Sequence, residues 1–250
     1  TPALIEQRAR NALMAGNAEF ARQIISRLQP EQAAPLLQWA ALLDEPQRGI
    51  DALIASPQRD VEPAALLAGW TKLARTNRTA ARQRFEPLVR ARGLDARAAS
   101  PLALALALAL SWDRDADARK YFARVDASTF DDSAREWQAR AALWAHDWKL
   151  VSSAIAAMSE NTRRTARWRY WAARGAAHEG RQDAARQMYE SLLAEDNYYS
   201  AMAAARLKRP ITPTPQPSPA DAALIARIGS QPEFIRAREL RVNGLLEPAR

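Results

Sequence analysis

The chain has 250 residues, 48% hydrophobic and 26% charged, with a net charge of +8, an ordinary balance for one large globular domain or two smaller ones. Zero cysteine excludes a thiolate nucleophile and a disulfide framework, two histidines leave little for a metal site, and eight glycines are few for strands and tight hairpins. No cofactor is expected, and the longest apolar stretch, near residues 101–110, is too short to span a bilayer. The basic excess is almost all arginine, since lysine occurs only at Lys72, Lys120, Lys149 and Lys208. It reads either as a polyanion partner or as a coding bias towards arginine and alanine.

Helical patterns alternate along the whole length. Candidate helices fall at 3–14, 31–43, 62–75, 101–111, 132–145 and 163–178. Between them recur "GNAEFARQIISRL" (16–28), "TNRTAARQRFEPL" (76–88), "DRDADARKYFARV" (113–125) and "GRQDAARQMYESL" (180–192). Aligned on Ala21, Ala81, Ala118 and Ala185, they place apolar residues four and seven positions later, the buried stripe of an amphipathic helix. Weaker copies begin at Ile50 and Val151. The period is near 33, that of stacked helical hairpins, so an all-α superhelical solenoid of tetratricopeptide-like hairpins is predicted for 1–208.

One stretch argues locally against this. "LALALALAL" (102–110) alternates with period two, as a half-buried strand does, while leucine and alanine are strong helix formers without β-branching. On a helix, Leu102, Leu106 and Leu110 fall on one side, with Leu104 and Leu108 nearly opposite. A helix greased on two sides fits a position between neighbours in a solenoid, so helix is the prediction. Ser100-Pro101 and Ser218-Pro219 read as N-cap plus first-turn proline, and Gly180 as a helix stop. Residues 209–219 hold five prolines and read as an extended connector; helical patterns resume over 220–250. The chain starts at Thr1, not at methionine, and ends inside a helical pattern, so it reads as part of something longer.

Two stretches carry a family resemblance. Within 167–207 stand Arg167 to Trp171, Gly180 to Ala185, and Tyr198-Tyr199 leading to Ala203-Ala204 and Leu207. The order resembles the last superhelical repeats of soluble lytic murein transglycosylases of the Slt type, with Ser200 and Lys208 standing where that family usually has glycine. "IRARELRVNGLLEPAR" (235–250) is similar to the start of the family's linker domain. The resemblance implies a periplasmic enzyme that cleaves peptidoglycan between N-acetylmuramic acid and N-acetylglucosamine to 1,6-anhydro products. Its single catalytic glutamate acts as acid and then as base. In the family that glutamate opens a Glu-Ser motif followed by Gly-Leu-Met-Gln. The only Glu-Ser here, Glu190-Ser191, lacks that sequel and lies inside a repeat helix, so the lysozyme-like catalytic domain is absent from these 250 residues and the chain alone should be inactive. The implied partners are peptidoglycan, the protein's own C-terminal catalytic domain and other cell-wall proteins, with no nucleic acid. The alternative is a tetratricopeptide-like adaptor for a protein segment. An RNA-binding repeat would need polar residues at fixed positions in every repeat, which are missing.

Candidate site residues have two readings each. Asp131, Asp132 and Glu136 precede a helix and read as N-terminal capping before catalysis. His146 and His178 close helices where imidazole can meet terminal carbonyls. Six of the eight tryptophans fall in 112–171 and read as packing between helices, the alternative being stacking on sugar faces. Arg163, Arg167 and Arg174, sharing roughly one face of a 163–178 helix, read either as solvated surface or as a glycan-binding trio for peptide carboxylates.

Overall fold

A computed structural model describes residues 1–211 and 221–245, and among them every regular element is helical. Thr1–Arg209 forms one compact unit and the residues from Pro210 a second. The first unit holds six hairpins: α1 (Pro2–Met14) with α2 (Ala18–Ile25), α3 (Pro30–Asp44) with α4 (Pro46–Ala55), and α5 (Pro63–Thr76) with α6 (Arg78–Ala91). Then come α7 (Ala96–Trp112) with α8 (Ala118–Phe122), α9 (Asp132–Trp144) with α10 (Trp148–Ala156), and, after the single turn α11 (Glu160–Arg163), α12 (Ala166–His178) with α13 (Gln182–Glu190). α14 (Tyr198–Leu207) follows. The first helices stack in sequence, α1 on α3, α3 on α5, α5 on α7 and α7 on α9, with α12 on α14. This is the predicted solenoid. The repeated stripe is its core: Ala21, Ala81, Ala118 and Ala185 are buried, as are Ile25, Phe85, Phe122 and Tyr189 four residues on.

α7 settles the alternating stretch as helix. Leu102, Leu106 and Leu110 are buried, and Leu104 and Leu108 are half-buried against the same core. Four neighbours surround the helix, α5, α6, α8 and α9, and the Trp70 indole N–H donates to the Leu102 carbonyl across α5 and α7 at 2.8 Å. The start of α7 differs from the expectation. Asp95, not Ser100, is the N-cap, accepting from the Ala98 N–H at 2.8 Å. Pro101 therefore lies inside the helix, and Ser100 is fully buried, accepting the Asp126 N–H at 2.7 Å and bonding Thr129 Oγ1 at 2.8 Å. Six residues into the helix, the proline gives up the bond that an N–H there would make to the Arg97 carbonyl. Ser218-Pro219 and most of the 209–219 connector fall outside the described residues.

Arginine–carboxylate pairs tie successive hairpins at the repeat spacing. Arg84 pairs with Asp51 at 2.6 Å, 33 residues apart, and Arg82 with Asp115, also 33 apart. Arg119 reaches Asp147 at 3.3 Å, 28 apart. The second unit contributes α15 (Ala222–Gly229) and α16 (Pro232–Val242), the helices expected within 220–250. Asp221 caps α15, and Gly244 follows α16 with φ +77. Among the described residues no helix is long and apolar enough to cross a membrane.

Candidate functional site

The aromatic segment builds one hollow on the first unit. Asp131 caps α9 through the Ala134 N–H at 2.7 Å, and the helix then presents Trp137, Arg140 and Trp144, three and seven residues apart and so on one face. α9 ends with His146 in the left-handed region at φ +55. The His146 N–H bonds the Leu143 carbonyl and the Asp147 N–H the Ala142 carbonyl, a Schellman closure with a non-glycine residue in glycine's place. Asp147 caps α10 through the Leu150 N–H at 3.1 Å, which sets Trp148 at the mouth of the turn. α12 adds Arg167, Trp171, Arg174 and His178, again a single helical stripe. Together with Tyr199 of α14 these side chains line a hollow of about 1080 Å³.

Its rings are held at defined angles. The Trp137 and Trp144 centroids lie 6.5 Å apart at 52°. Trp148 and His178 stack face to face, 3.9 Å apart at 5°. Glu136 fixes the floor, accepting the Trp168 indole N–H at 2.9 Å and pairing with Arg140 at 2.8 Å. The Arg140 guanidinium lies 4.9 Å from the Trp137 ring centroid. Arg174 lies 5.3 Å from the Trp148 centroid, and its Nη2 is 3.2 Å from His178 Nε2. A guanidinium can only donate, so that nitrogen accepts and the imidazole is neutral. Cover by the Trp148 ring, and then the charges of Arg174, Arg206 and His146, hold the His178 pKa below its ordinary value. Arg167 Nε donates to Tyr199 Oη at 3.2 Å. Among the described residues no carboxylate pairs with Arg167 or Arg174, so the hollow carries two uncompensated cations beside its neutralised Glu136–Arg140 pair.

Several sequence expectations are redistributed. Arg163 does not share a helix with Arg167 and Arg174: α11 ends at Arg163 and α12 begins at Ala166. The Arg163 guanidinium donates to the Ala156 carbonyl at 3.1 Å and lines a separate recess with Ser152 and Met188. The helix is interrupted at Thr165, which is extended at ψ 145 and precedes α12 as its N-cap, while the start of α11 is held by Asp132, which accepts from Ser159 and Thr162, the latter at 2.7 Å. Of the acidic cluster only Asp131 caps α9. The tryptophan cluster is mainly packing between helices, with an exposed edge. Trp168 is buried and Trp137, Trp148 and Trp171 are half-buried against core clusters, while Trp112 and Trp144 are exposed. His178 meets a ring, not a carbonyl. Stacking on sugar faces, the alternative reading of the tryptophans, has its own signal: along α9 and α12 arginine alternates with tryptophan on one face, where a core stripe would carry leucine and alanine. Glu190-Ser191 is structural, with Glu190 pairing with Arg186 at 3.3 Å and Arg209 at 3.0 Å. Among the described residues no group of histidines and carboxylates is placed to hold a metal.

No protein-family model and no curated protein matches the sequence. Solved structures do match, and the class of protein they define is the soluble lytic transglycosylase, whose helical fold this chain shares. The lytic transglycosylase Slt of Pseudomonas aeruginosa, solved as an inactive mutant, superposes with a TM-score of 0.73 at 21% identity, over 100% of this chain and 41% of that one. The 70-kDa soluble lytic transglycosylase of Escherichia coli gives 0.65 at 21% identity, over 100% and 40%. A 70-kDa soluble lytic transglycosylase bound to bulgecin A gives 0.64 at 20% identity, over 100% and 41%. The chain thus spans about two-fifths of the length of these structures, and at such identity the likeness is one of fold.

Proposed function

We propose that the chain is the non-catalytic superhelical part of a periplasmic lytic transglycosylase, and that its tryptophan–arginine hollow holds peptidoglycan. The observation that carries this reading is the pairing, in one hollow, of partly exposed indoles, Trp144 most of all, with the cations of Arg167 and Arg174, which have no carboxylate partner among the described residues. Indole faces stack on the apolar faces of sugar rings, and guanidinium forks take carboxylates bidentately. A glycan bearing peptide stems offers both. The transglycosylase fold and the 167–207 and 235–250 motifs support the family, and within it the cleavage of the bond between N-acetylmuramic acid and N-acetylglucosamine. Glu136 is engaged by Arg140 and Trp168 and is not free to act as an acid, so the hollow's role is retention and placement of substrate for a catalytic domain.

The test is co-sedimentation of the chain with isolated murein. Arg167→Gln with Arg174→Gln should weaken binding at least about tenfold, the loss expected when charge-assisted contacts of about 1.5–3 kcal/mol each are removed. Arg163→Gln should leave binding as it is. Unaltered binding by the double variant, with an unchanged circular dichroism spectrum, would refute the reading. A protein-segment adaptor would show no murein binding in any variant.

A further inference from the structure

The hollow is continuous with a second run of rings and cations that leads away from it along the ends of the first helices. Trp112, at the end of α7, meets Trp137 edge-on, with centroids 6.5 Å apart at 74°. The Arg75 guanidinium, near the end of α5, lies 5.1 Å from the Trp112 centroid. Arg114, in the turn after α7, lies 5.4 Å from Trp144, which lines the hollow. Trp148 and His178 carry the contacts on into α12. The run therefore crosses four consecutive hairpins, because the repeat sets the end of each first helix beside the next.

Arg140, beside Trp137, is paired with Glu136; the other arginines concerned fall into two sets. Those that tie hairpins together have carboxylate partners, among them Arg82, Arg84, Arg119 and Arg169. Arg75, Arg114, Arg167 and Arg174, which accompany the rings, have none among the described residues. Trp112 and Trp144 are 43% and 39% exposed, large values for indoles that would otherwise pack. A single sugar or a single acid would occupy the hollow and leave Trp112, Arg75 and Arg114 without use.

We infer that this run is a track for an extended acidic glycan strand, in which successive sugar faces lie on Trp112, Trp137 and Trp144 while stem carboxylates meet Arg75, Arg114 and Arg174. The inference rests on the glycan reading of the hollow and adds to it a dependence on strand length. Trp148 is covered by the stacked His178 ring, whereas Trp112 and Trp144 each carry a guanidinium over one face. The ring's open face and the cation's outer edge are then presented together. That matches a repeat unit combining an apolar ring face with a carboxylate.

The experiment titrates the 250-residue chain, following tryptophan fluorescence, with five probes. They are a stem-bearing disaccharide, a stem-bearing strand of about ten sugars, the same strand with its carboxylates converted to amides, an RNA oligomer and an acidic peptide. The long strand should bind at least about tenfold more tightly than the disaccharide, because the second set of contacts forms intramolecularly. Amidation should remove that advantage. Arg75→Gln with Arg114→Gln, both exposed changes, should lower affinity for the long strand by about the same tenfold factor, and Trp112→Ala should do likewise with an unchanged melting curve. Equal affinity for disaccharide and long strand would overturn the track while leaving the hollow as a glycan site. RNA or the acidic peptide binding as tightly as the long strand would overturn the assigned occupant, and failure of both glycans to bind would overturn track and hollow together.

Discussion

At the scale of single residues, three non-glycine positions hold the left-handed conformation that closes a helix: Arg114, His146 and Lys208, with φ between +55 and +56. Equivalent closures after other helices use Gly16, Gly93 and Gly180, at φ +78, +57 and +82. The backbone need recurs with the repeat, and the side chain is kept where it is used: Arg114 lies over Trp144. Lys208 makes no ion pair among the described residues, and it stands where glycine was expected from the resemblance. Lys208→Gly should raise stability by about 1 kcal/mol, read from urea unfolding, since a left-handed L-residue costs roughly that much. Gly69 is the opposite case. A Cβ there would lie 3.0 Å from Leu42 Cβ and 3.3 Å from its carbonyl oxygen, so Gly69→Ala should destabilise by about 1–2 kcal/mol despite alanine's better helix propensity. His178 should titrate below an ordinary histidine in an NMR pH series, and Arg174→Gln should move its midpoint up, since the neighbouring cation is one of the causes of the depression.

At the scale of elements, α7 shows which local signal to trust. Strict alternation pointed to a strand, but leucine and alanine have no β preference, and four surrounding helices give both leucine ridges a place to bury. Leu106→Asp should cost more than about 4 kcal/mol and abolish cooperative unfolding, because an unpaired charge has no solvent at a fully buried site. Ser-Pro is a good cap signal wherever it occurs, and the bonds of Asp95 to Ala98 and of Asp126 and Thr129 to Ser100 show that the helix begins earlier. The start of α11 is likewise held by a residue from a distant helix. Asp132 bonds the Ser159 and Thr162 hydroxyls and the Ser159 N–H, and these bonds, the Ser159 hydroxyl first, lower its pKa. A carboxyl depressed by folding contributes stability that is complete above its unfolded pKa and is lost as pH falls through the folded value. The 159–165 turn should therefore loosen below the ordinary carboxylate range, seen as faster amide exchange at Ser159 and Thr162, and Asp132→Asn should show the same loosening at neutral pH.

At the scale of the whole first unit, the core is not uniform. One large cluster runs from Ala9 to Phe122 with Ala141, while α9 to α14 bury two smaller clusters, one around Ile155 and Trp168 and one around Tyr170 and Leu192. In a repeat array stability is a sum of local terms. Hydrogen exchange should therefore reach the amides of α12 and α14 before those of α5 and α7; uniform protection would contradict the division. The hollow lies in the less deeply buried part, where side chains that would otherwise pack are left half-exposed. The ion pairs between hairpins are partly exposed and contribute about 1 kcal/mol or less each, so they fix register more than they add stability.

The sequence by itself determined the solenoid. Helix propensity, the 33-residue recurrence and the i, i+4, i+7 stripe all act through local geometry, and they agree along the first 208 residues. Arg167 and Arg174 were legible as candidates for the same reason, since both lie on one helix. Only the tertiary structure decided which arginines are spent on carboxylates of the next hairpin and which stand beside tryptophan with no carboxylate partner among the described residues. It also removed Arg163 from the group and set the exposed edges of packed tryptophans around one hollow. Those outcomes depend on which residues of different repeats become neighbours, and a charge or a ring has no single fate until its neighbours are fixed.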